Sequence, residues 1–427
     1  MPVHSGRGKS QGMVALLLGA ALLAQAQDTL TYTLEEAVQR AAQVSPLVLA
    51  AEGAVAAPTG ERSVVRSPFQ GNPVVQYAGA QRTSETLDTW DWEWSLRQEI
   101  EIGGQWSVRS SAAENRIRAA TERVSDAVRI TGLDTRLRFL NLRMATRTAV
   151  LADSAAAFAE RLAAMAREQL DAGAIGVLEY NAAVVESART QSQADRASAA
   201  RDAAAARLMV VLGVEPPLTV EAQPLPSLPE ETEIDRVRLV AVAEALRPDL
   251  RADSLAVEAA SRDITAAKRR AIPNLELAGF TGREEGTDDL LGFSVGLKLP
   301  LVNRGQAASG MAEASRAAAE ARRMETRRAI ESQVLGNASL LERSLAAEQR
   351  FAIEGLAAAR ENASLIGTAF EEGAVGIAEV IFLRAATVAA EVEYIEARRS
   401  AYEAWFELSA ALGVVPERLA EFVGAEQ

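Results

Sequence analysis

The chain contains an internal duplication with a spacing of about 200 residues. The stretch DAGAIGVLEY at 171–180 returns as EEGAVGIAEV at 371–380, and VVLGVEPPL at 210–218 returns as AALGVVPER at 410–418. The residues that recur identically after 200 positions are Gly173, Ala174, Gly176, Glu179, Leu212, Gly213, Val214 and Pro216. This period is far longer than that of a solenoid repeat. The sequence therefore predicts two similar units in tandem.

The N-terminus has the features of a secretory signal peptide, residues 1–26. Arg7 and Lys9 precede an apolar run at 13–24 that is too short to span a bilayer, and an Ala-x-Ala cleavage site follows. An N-terminal membrane anchor is the alternative. The first repeat is predicted at 27–213, a proline-rich linker at 214–231 and the second repeat at 232–427.

Composition argues against several classes of chemistry. The chain has no cysteine and a single histidine, His4, which leaves with the signal peptide. Zinc and soft-metal sites need thiolate or imidazole ligands, and Ser-His-Asp or Cys-His catalysis needs a histidine. The formal net charge of −13 disfavours a nucleic-acid partner. We therefore predict a protein that is not an enzyme, holds no metal or cofactor and binds no nucleic acid.

Proline placement indicates two long helical hairpins. No proline occurs between Pro73 and Pro216 or between Pro300 and Pro416, and both intervals are rich in Ala, Arg, Glu and Leu. We predict that each interval reverses at its Gly-Ala-x-Gly turn. The predicted hairpins lie at about 104–213 and about 306–413.

Glycines inside the hairpins leave an alternative open. A bundle of shorter helices, broken at Gly132, Gly336 and Gly355, would have the same composition. A kink is expected where Pro58 and Gly60 interrupt the short helix that precedes the first hairpin.

Two pairs of strands are predicted from alternating apolar and polar residues. They lie at about 74–82 and 90–102 and at about 274–283 and 291–301. Strands of this length with one apolar face are typical of membrane-spanning strands, and tryptophans at one end suit an interfacial aromatic girdle. A soluble sheet packed on helices is the alternative. The predicted lipid-facing side chains are Trp90, Trp92, Trp94, Leu96, Ile100, Ile102, Phe293, Val295, Leu297 and Leu299.

Four strands cannot close a membrane barrel. The smallest single-chain barrels have eight strands, and an open edge in lipid leaves backbone groups without hydrogen bonds. If these strands span a membrane, several chains must share one barrel. Two chains would supply eight strands and three would supply twelve, with room for a channel.

The sequence resembles the TolC-like outer-membrane efflux proteins. The resemblance covers nearly the whole mature chain and rests on the duplicated order of short helix, two strands and helical hairpin. The heavy-metal branch (cobalt–zinc–cadmium or copper–silver resistance) is the most similar, on the motif EIEIGGQW. The stretches that carry the resemblance are LRQEIEIGGQW (96–106), LKLPLVNRGQA (297–307), AGAIGVLEYNAA (172–183), EGAVGIAEVIFLRA (372–385) and LSAALGV (408–414).

The resemblance implies a mainly α-helical protein with membrane β-structure. Three copies would form a twelve-stranded outer-membrane β-barrel that continues into an α-helical barrel across the periplasm. The partners implied are a periplasmic adaptor (membrane fusion) protein, an inner-membrane pump of the RND type and outer-membrane lipid. The implied function is a passive exit duct for metal cations. Drug efflux and protein secretion by the same architecture remain alternatives, as does a soluble periplasmic coiled-coil scaffold or adaptor.

The resemblance also implies functional residues at the ends of the hairpins. The periplasmic aperture falls on Glu379 and its counterpart Glu179, although charges that complement a helix dipole are the plainer interpretation of both. A second acidic position of some family members is occupied here by Phe382. The adaptor-docking tips fall on Gly173, Ala174, Gly176, Gly373, Ala374 and Gly376.

Overall fold

A computed structural model of the chain describes residues 29–83, 88–215, 219–225, 228, 234–371 and 374–423. The predicted signal peptide, 1–26, lies outside these ranges. So do Gly373 of the second tip and much of the predicted linker.

In each repeat of the described chain, short helices precede two consecutive long strands, and a long helical hairpin follows them. The strands are β1 Thr29–Tyr32, β2 Phe69–Thr83, β3 Asp88–Ile100, β4 Thr219–Ala222, β5 Asn274–Glu284 and β6 Asp288–Lys298. The helices are α1 Leu34–Val44, α2 Pro46–Ala54, α3 Ala56–Val65, α4 Gln105–Asp171, α5 Val177–Leu212, α6 Arg236–Leu246, α7 Pro248–Arg269, α8 Gln306–Arg350, α9 Leu356–Glu371, α10 Ile377–Leu412 and α11 Pro416–Val423. A π-helical turn, Phe351–Gly355, joins α8 to α9.

The four long strands form one antiparallel sheet in the order β2–β3–β5–β6. Each strand is continuous with one helix: α3 leads into β2, β3 into α4, α7 into β5 and β6 into α8. Those helices contact one another in the matching order α3–α4–α7–α8. The duplication therefore yields a row of four strands that continues into a row of four helices. Both rows have corresponding ends, with β2 and α3 at one end and β6 and α8 at the other.

Two junctions between strand and helix use glycine where the backbone requires it. Gly104 and Gly305 precede α4 and α8 with φ of 66° and 87°, in the left-handed region that costs a residue with a Cβ about 1–2 kcal/mol. Beside the first junction, Arg109 binds the buried Glu101 through two hydrogen bonds of 2.6 and 2.8 Å. Glu101 also donates its backbone N–H to the carbonyl of Pro68. This fixes the direction in which the chain leaves the sheet.

The core is concentrated where the returning helices end. Leu408 and Leu412 of α10 pack there with Ile330, Leu341 and the surrounding cluster, and Leu208 and Leu212 of α5 pack with Phe139. Arginines cap the last carbonyls of both helices: Arg40 donates to Leu212 O, and Arg247 donates to Ala411 O. A third, smaller cluster lies at the hairpin ends.

The long-hairpin prediction is correct, with one exception. Gly132 and Gly336 lie inside continuous helices, and α4 alone contains 67 residues. The helix is interrupted only in the second repeat, where the π-helical turn ends at Gly355. The first hairpin therefore has one unbroken outgoing helix and the second has two segments.

Several predicted boundaries are wrong at their ends. β3 ends at Ile100 because Glu101 turns into the junction, so Ile102 lies beyond the strand. β6 ends at Lys298, and Leu299 lies beyond it, because Pro300 has no N–H for a ladder hydrogen bond. β2 begins at Phe69, earlier than predicted, through an irregularity in register between Gln70 and Val74.

Two other sequence features proved more regular than expected. The proline-rich linker contains β4, which pairs in parallel with β1 and so joins the two ends of the first repeat. Pro58 lies in the first turn of α3, where proline is tolerated, and α2 ends at Ala54. Val55 between them keeps helical dihedral angles, so the hydrogen-bond ladder is interrupted without a reversal of the chain.

Candidate functional site: the uncovered sheet and the hairpin tips

The register of the sheet places its apolar side chains on one face. Trp94 lies opposite Tyr77 on β2 and Thr281 on β5, and Leu277 on β5 lies opposite Val295 on β6. Most of these side chains are exposed, Phe293 to 83%. Trp92 and Ile100 are half-buried. The apolar face carries Val75, Tyr77, Trp90, Trp92, Trp94, Leu96, Ile100, Leu275, Leu277, Leu291, Phe293, Val295 and Leu297.

The opposite face of the sheet is polar and carries ion pairs between strands. Arg97 Nε lies 3.1 Å from Glu276 Oε1, and Lys298 Nζ lies 3.7 Å from Glu99 Oε2. At the end of the sheet remote from the helices, Arg82 Nε lies 2.9 Å from Asp91 Oδ2. Exposed pairs of this kind contribute about 0–1 kcal/mol each. The sheet therefore offers an apolar face and a charged face, and described helices cover neither.

The two outer strands each have a free edge. Among the described residues, β2 pairs only with β3, and β6 pairs only with β5. Unpaired edges of long strands are templates for pairing with another chain. The edges and the apolar face together make this sheet incomplete within one copy.

The first hairpin tip reverses through a glycine-dependent turn. α4 ends at Asp171, and Gly173 adopts φ of 71°. The N–H of Gly173 donates to Leu170 O at 2.9 Å, and that of Ala174 donates to Gln169 O at 2.8 Å. The left-handed residue at this point is the usual end of a helix. Gly173 and Ala174 are exposed.

The second glycine of each turn has a different role from the one the sequence suggested. Gly176 and Gly376 precede α5 and α10 with φ of −87° and −85°, which any residue can adopt. A Cβ on Gly376 would meet open space. The backbone therefore requires glycine at position 173 and permits larger residues at 176 and 376. Ala374 is exposed.

Glu179 and Glu379 occupy the same place in the two hairpins, the third residue of the returning helix. Both are exposed. A Cβ on Gly176 would lie 2.8 Å from Glu179 Oε2, so this carboxylate folds back toward the N-terminus of its own helix. Within the described part of the chain, neither carboxylate forms an ion pair or accepts a hydrogen bond.

The tips are held together by a core that sequence reasoning missed. Ile377 and Val380 are buried against Leu162 and Ala183 of the first hairpin. Cations stack on aromatic rings beside this core: Arg167 lies 5.5 Å from the Tyr180 ring centroid. Arg384 lies 5.2 Å from that of Phe158 in the same way. The three-residue spacing of Ile377 and Val380 on α10 gave some signal for these contacts, but the partner helix is remote in sequence.

The described residues contain neither a helix that could cross a membrane nor a cluster that could hold a metal ion. No helix there is long and apolar enough to cross a membrane. No group of three or more His, Cys, Asp or Glu residues there could hold a metal ion.

Comparison with known proteins decides the family of the second repeat. Residues 239–414 match the family model described as "Outer membrane efflux protein". This segment belongs to the outer membrane efflux protein family. The family is defined by efflux and not by an enzymatic reaction. No curated protein matches the chain.

Solved membrane proteins share the fold over nearly the whole length of this chain. A membrane protein from Pseudomonas aeruginosa covers 89% of this chain and 90% of its own, with TM-score 0.72 and 18% identity. CusC covers 90% and 92%, with TM-score 0.72 and 17% identity. The open state of the Neisseria gonorrhoeae MtrE outer membrane channel covers 89% of both chains, with TM-score 0.67 and 17% identity. The predicted TolC-like fold is confirmed.

Proposed function

We propose that this chain is the outer-membrane component of a tripartite efflux system, and that three copies form a passive exit duct from the periplasm to the exterior. The proposal is carried by the matching rows of strands and helices, which end in the same two free edges. β6 and α8 form one edge, and β2 and α3 form the other. Pairing β6 of one copy with β2 of the next would extend both rows at once.

Three copies would close the rows into twelve strands and twelve helices. The exposed apolar face would meet outer-membrane lipid, and the charged face would line a water-filled lumen. Each repeat, 27–213 and 232–427, would supply two strands and one hairpin, with 214–231 joining them. The hairpins would extend into the periplasm.

The partners of the duct follow from its position. Because a passive duct has no energy source, an inner-membrane pump, of the RND type on the family resemblance, would drive transport. A periplasmic adaptor would connect the pump to the exposed tips at Gly173, Ala174, Gly176, Gly373, Ala374 and Gly376. Glu379 would line the periplasmic aperture, with Glu179 beside it.

Metal cations are the proposed cargo, on the resemblance of EIEIGGQW, residues 99–106, to the heavy-metal branch. Carboxylates at the aperture would concentrate cations there, an effect that salt would screen. Drugs and secreted proteins are the alternatives for the same duct.

Fractionation and growth assays test the function and the cargo separately. The protein should sediment with outer membranes and require detergent for extraction, whereas a periplasmic scaffold would be released without detergent. Deleting the gene should sensitise cells to divalent metal salts more than to hydrophobic drugs, and a plasmid copy should restore resistance. Sensitisation to drugs alone would keep the duct and reject the metal cargo.

A further inference from the structure

A cavity lies where the first hairpin packs against α10 of the second hairpin. Its volume is about 340 Å³, within the size range of small-molecule sites. It begins at Leu162 and Ile381, which also belong to the tip core, and extends along the helices away from the tips. Residues of α4, α5 and α10 line it. One copy of the chain therefore supplies the whole cavity.

The lining is apolar along most of the length of the cavity. On α10 it includes Ala385, Val388 and Val392, whose spacings of three and four residues follow one side of a helix. Leu151, Ala155 and other small or apolar residues of α4 form the facing wall. The eight residues from Arg384 to Val392 correspond to about 12 Å along the helix. This shape suits one extended apolar chain.

Arg384 places a cation at the end of the cavity nearest the tips. The central carbon of its guanidinium lies 5.2 Å from the ring centroid of Phe158, and both residues line the cavity. Its Nε is buried and has no hydrogen-bond partner among the described residues. A buried donor without a partner is unfavourable, and most such donors in proteins are satisfied. An anionic oxygen in the cavity would satisfy this one.

The other charged side chains around the cavity leave this positive charge uncompensated. Arg189 and Glu186 of α5 bind each other through hydrogen bonds of 2.6 and 2.7 Å. Glu393 is exposed at the opposite end of the cavity, about 13.5 Å from Arg384 along α10. The two arginines and one glutamate near the tips therefore leave one net positive charge beside the apolar wall.

The duplication shows that a returning helix does not need arginine at this position. The counterpart of Arg384 in the first repeat is Val184, which is 41% exposed. The helices α5 and α10 each contain 36 residues and begin after equivalent glycines. One of them thus forms with valine where the other carries the buried cation, so the helical fold alone does not explain Arg384.

We propose that this cavity binds a small amphipathic anion, a single-chain carboxylate whose head group pairs with Arg384 and whose apolar chain lies along Ala385, Val388 and Val392. A carboxylate can accept two parallel hydrogen bonds from a guanidinium group, which would include the buried Nε. The chain would be removed from water between the two hairpins. Because the site exists only while α10 packs against α4 and α5, the bound molecule would stabilise that packing.

Photolabelling of the purified full-length protein tests this site. The probe is a decanoate analogue that carries a diazirine at the end of its chain. Trypsin cuts after Arg147, Arg161, Arg384 and Arg398, so mass spectrometry should find the label on peptides 148–161 and 385–398. Excess decanoate should prevent this labelling, whereas decylamine, which has the opposite charge, should not. Labelling that avoids both peptides, or equal competition by decylamine, would overturn the proposal.

Variants separate the head group from the chain. R384Q should reduce labelling of these peptides about tenfold, and R384K should retain most of it because the cation remains. A385L should also reduce labelling, because it fills the cavity while keeping the arginine, and it tests the site independently of any effect of R384Q on folding. R196Q is the matched control, since Arg196 is an exposed arginine of α5 outside the cavity lining. Undiminished labelling of A385L would overturn the site.

The outcome is independent of the proposed duct, because no second copy contributes to the cavity. A protein that is released without detergent, yet is labelled on both peptides, would keep the site and reject the duct. An outer-membrane protein that is labelled equally in wild type and R384Q would keep the duct and reject the site.

Discussion

Trp94 packs against Tyr77 on the neighbouring strand, with ring centroids 4.9 Å apart, and both side chains remain exposed on the apolar face of the sheet. An aromatic pair of this kind is worth about 0.5–1.5 kcal/mol beyond its buried area. In the proposed barrel it faces lipid.

Trp94→Arg should therefore impair assembly, because a cation on the lipid face costs about 2–4 kcal/mol near the midplane and less near an interface. Arg97→Gln, on the opposite face, should cost about 0–1 kcal/mol, since it removes an exposed pair with Glu276. Yields of heat-resistant oligomer in outer membranes measure both. Equal tolerance of the two substitutions would argue against a lipid-facing sheet.

The second tip offers a test of docking that preserves the fold. Gly376→Leu should leave assembly intact, because the backbone has φ of −85° and open space surrounds the position. It should abolish crosslinking to the adaptor and restore sensitivity to the cargo. Gly336→Leu is the control, also in open space but about 50 Å away along the helix from the tip. Undiminished crosslinking of the Gly376 variant would exclude this tip as the docking surface.

Glycine at the first tip should behave differently. Gly173→Ala should destabilise the turn by about 1 kcal/mol, because its φ of 71° is unfavourable for a residue with a Cβ. Gly176→Ala should cost less, since only the flexible Glu179 carboxylate must move. Limited proteolysis at the tip compares the two variants. A larger effect at position 176 would contradict the geometry of the turn.

The buried Arg247 gives the stability an acid-sensitive component. Burial would raise the pKa of the Asp249 carboxyl, but hydrogen bonds of 2.6 and 2.9 Å from Arg247 and the nearby guanidinium charges hold that pKa below its usual value. A lowered folded-state pKa adds stability that is complete above the unfolded value of about 3.9 and is lost as the pH falls through the folded value.

Asp249→Asn should therefore lower the free energy of unfolding by about 1–3 kcal/mol at neutral pH and weaken its fall in acid. Asp134→Asn is the control, because the Asp134–Arg138 pair is exposed and its loss should change stability little. Helical circular dichroism during denaturant unfolding, repeated at several pH values, measures both. If the free energy of unfolding of the Asp249 variant falls in acid as steeply as that of the wild type, Asp249 is not the titrating group.

Much of this fold was predictable because the determining signals are local or repeated. The alternation of apolar and polar residues over 90–102 indicates a strand directly, and the absence of proline from the hairpins indicates long helices. The duplication then predicts a strand pair and a hairpin in each repeat. The free edges could be predicted by counting strands. The left-handed glycines at positions 104 and 305 were part of the quoted motifs, but their dihedral angles were not evident from them.

Other features depend on contacts between residues far apart in sequence. β4 is four residues long and exists because it pairs with β1, about 190 positions away. The stacking of Arg384 on Phe158 and the burial of Val380 likewise join the two repeats. The π-helical turn before Leu356 has no local signal beyond Gly355. At the candidate site, the sequence located both glutamates, but only the structure separated the roles of Gly173 and Gly176.

Closure of the ring is the central claim, and covalent linkage of its edges tests it most directly. One cysteine in β6, at Ser294, would be combined with a second at successive positions of β2. A disulfide forms only where the two Cα atoms come within about 7 Å, so the correct register is found by scanning. Graded oxidation in outer membranes should give a ladder on non-reducing gels that ends at three chains, since head-to-tail contacts close at a fixed number. A ladder that ends at two chains, one that continues beyond three, or no linkage in any register would contradict the three-copy duct.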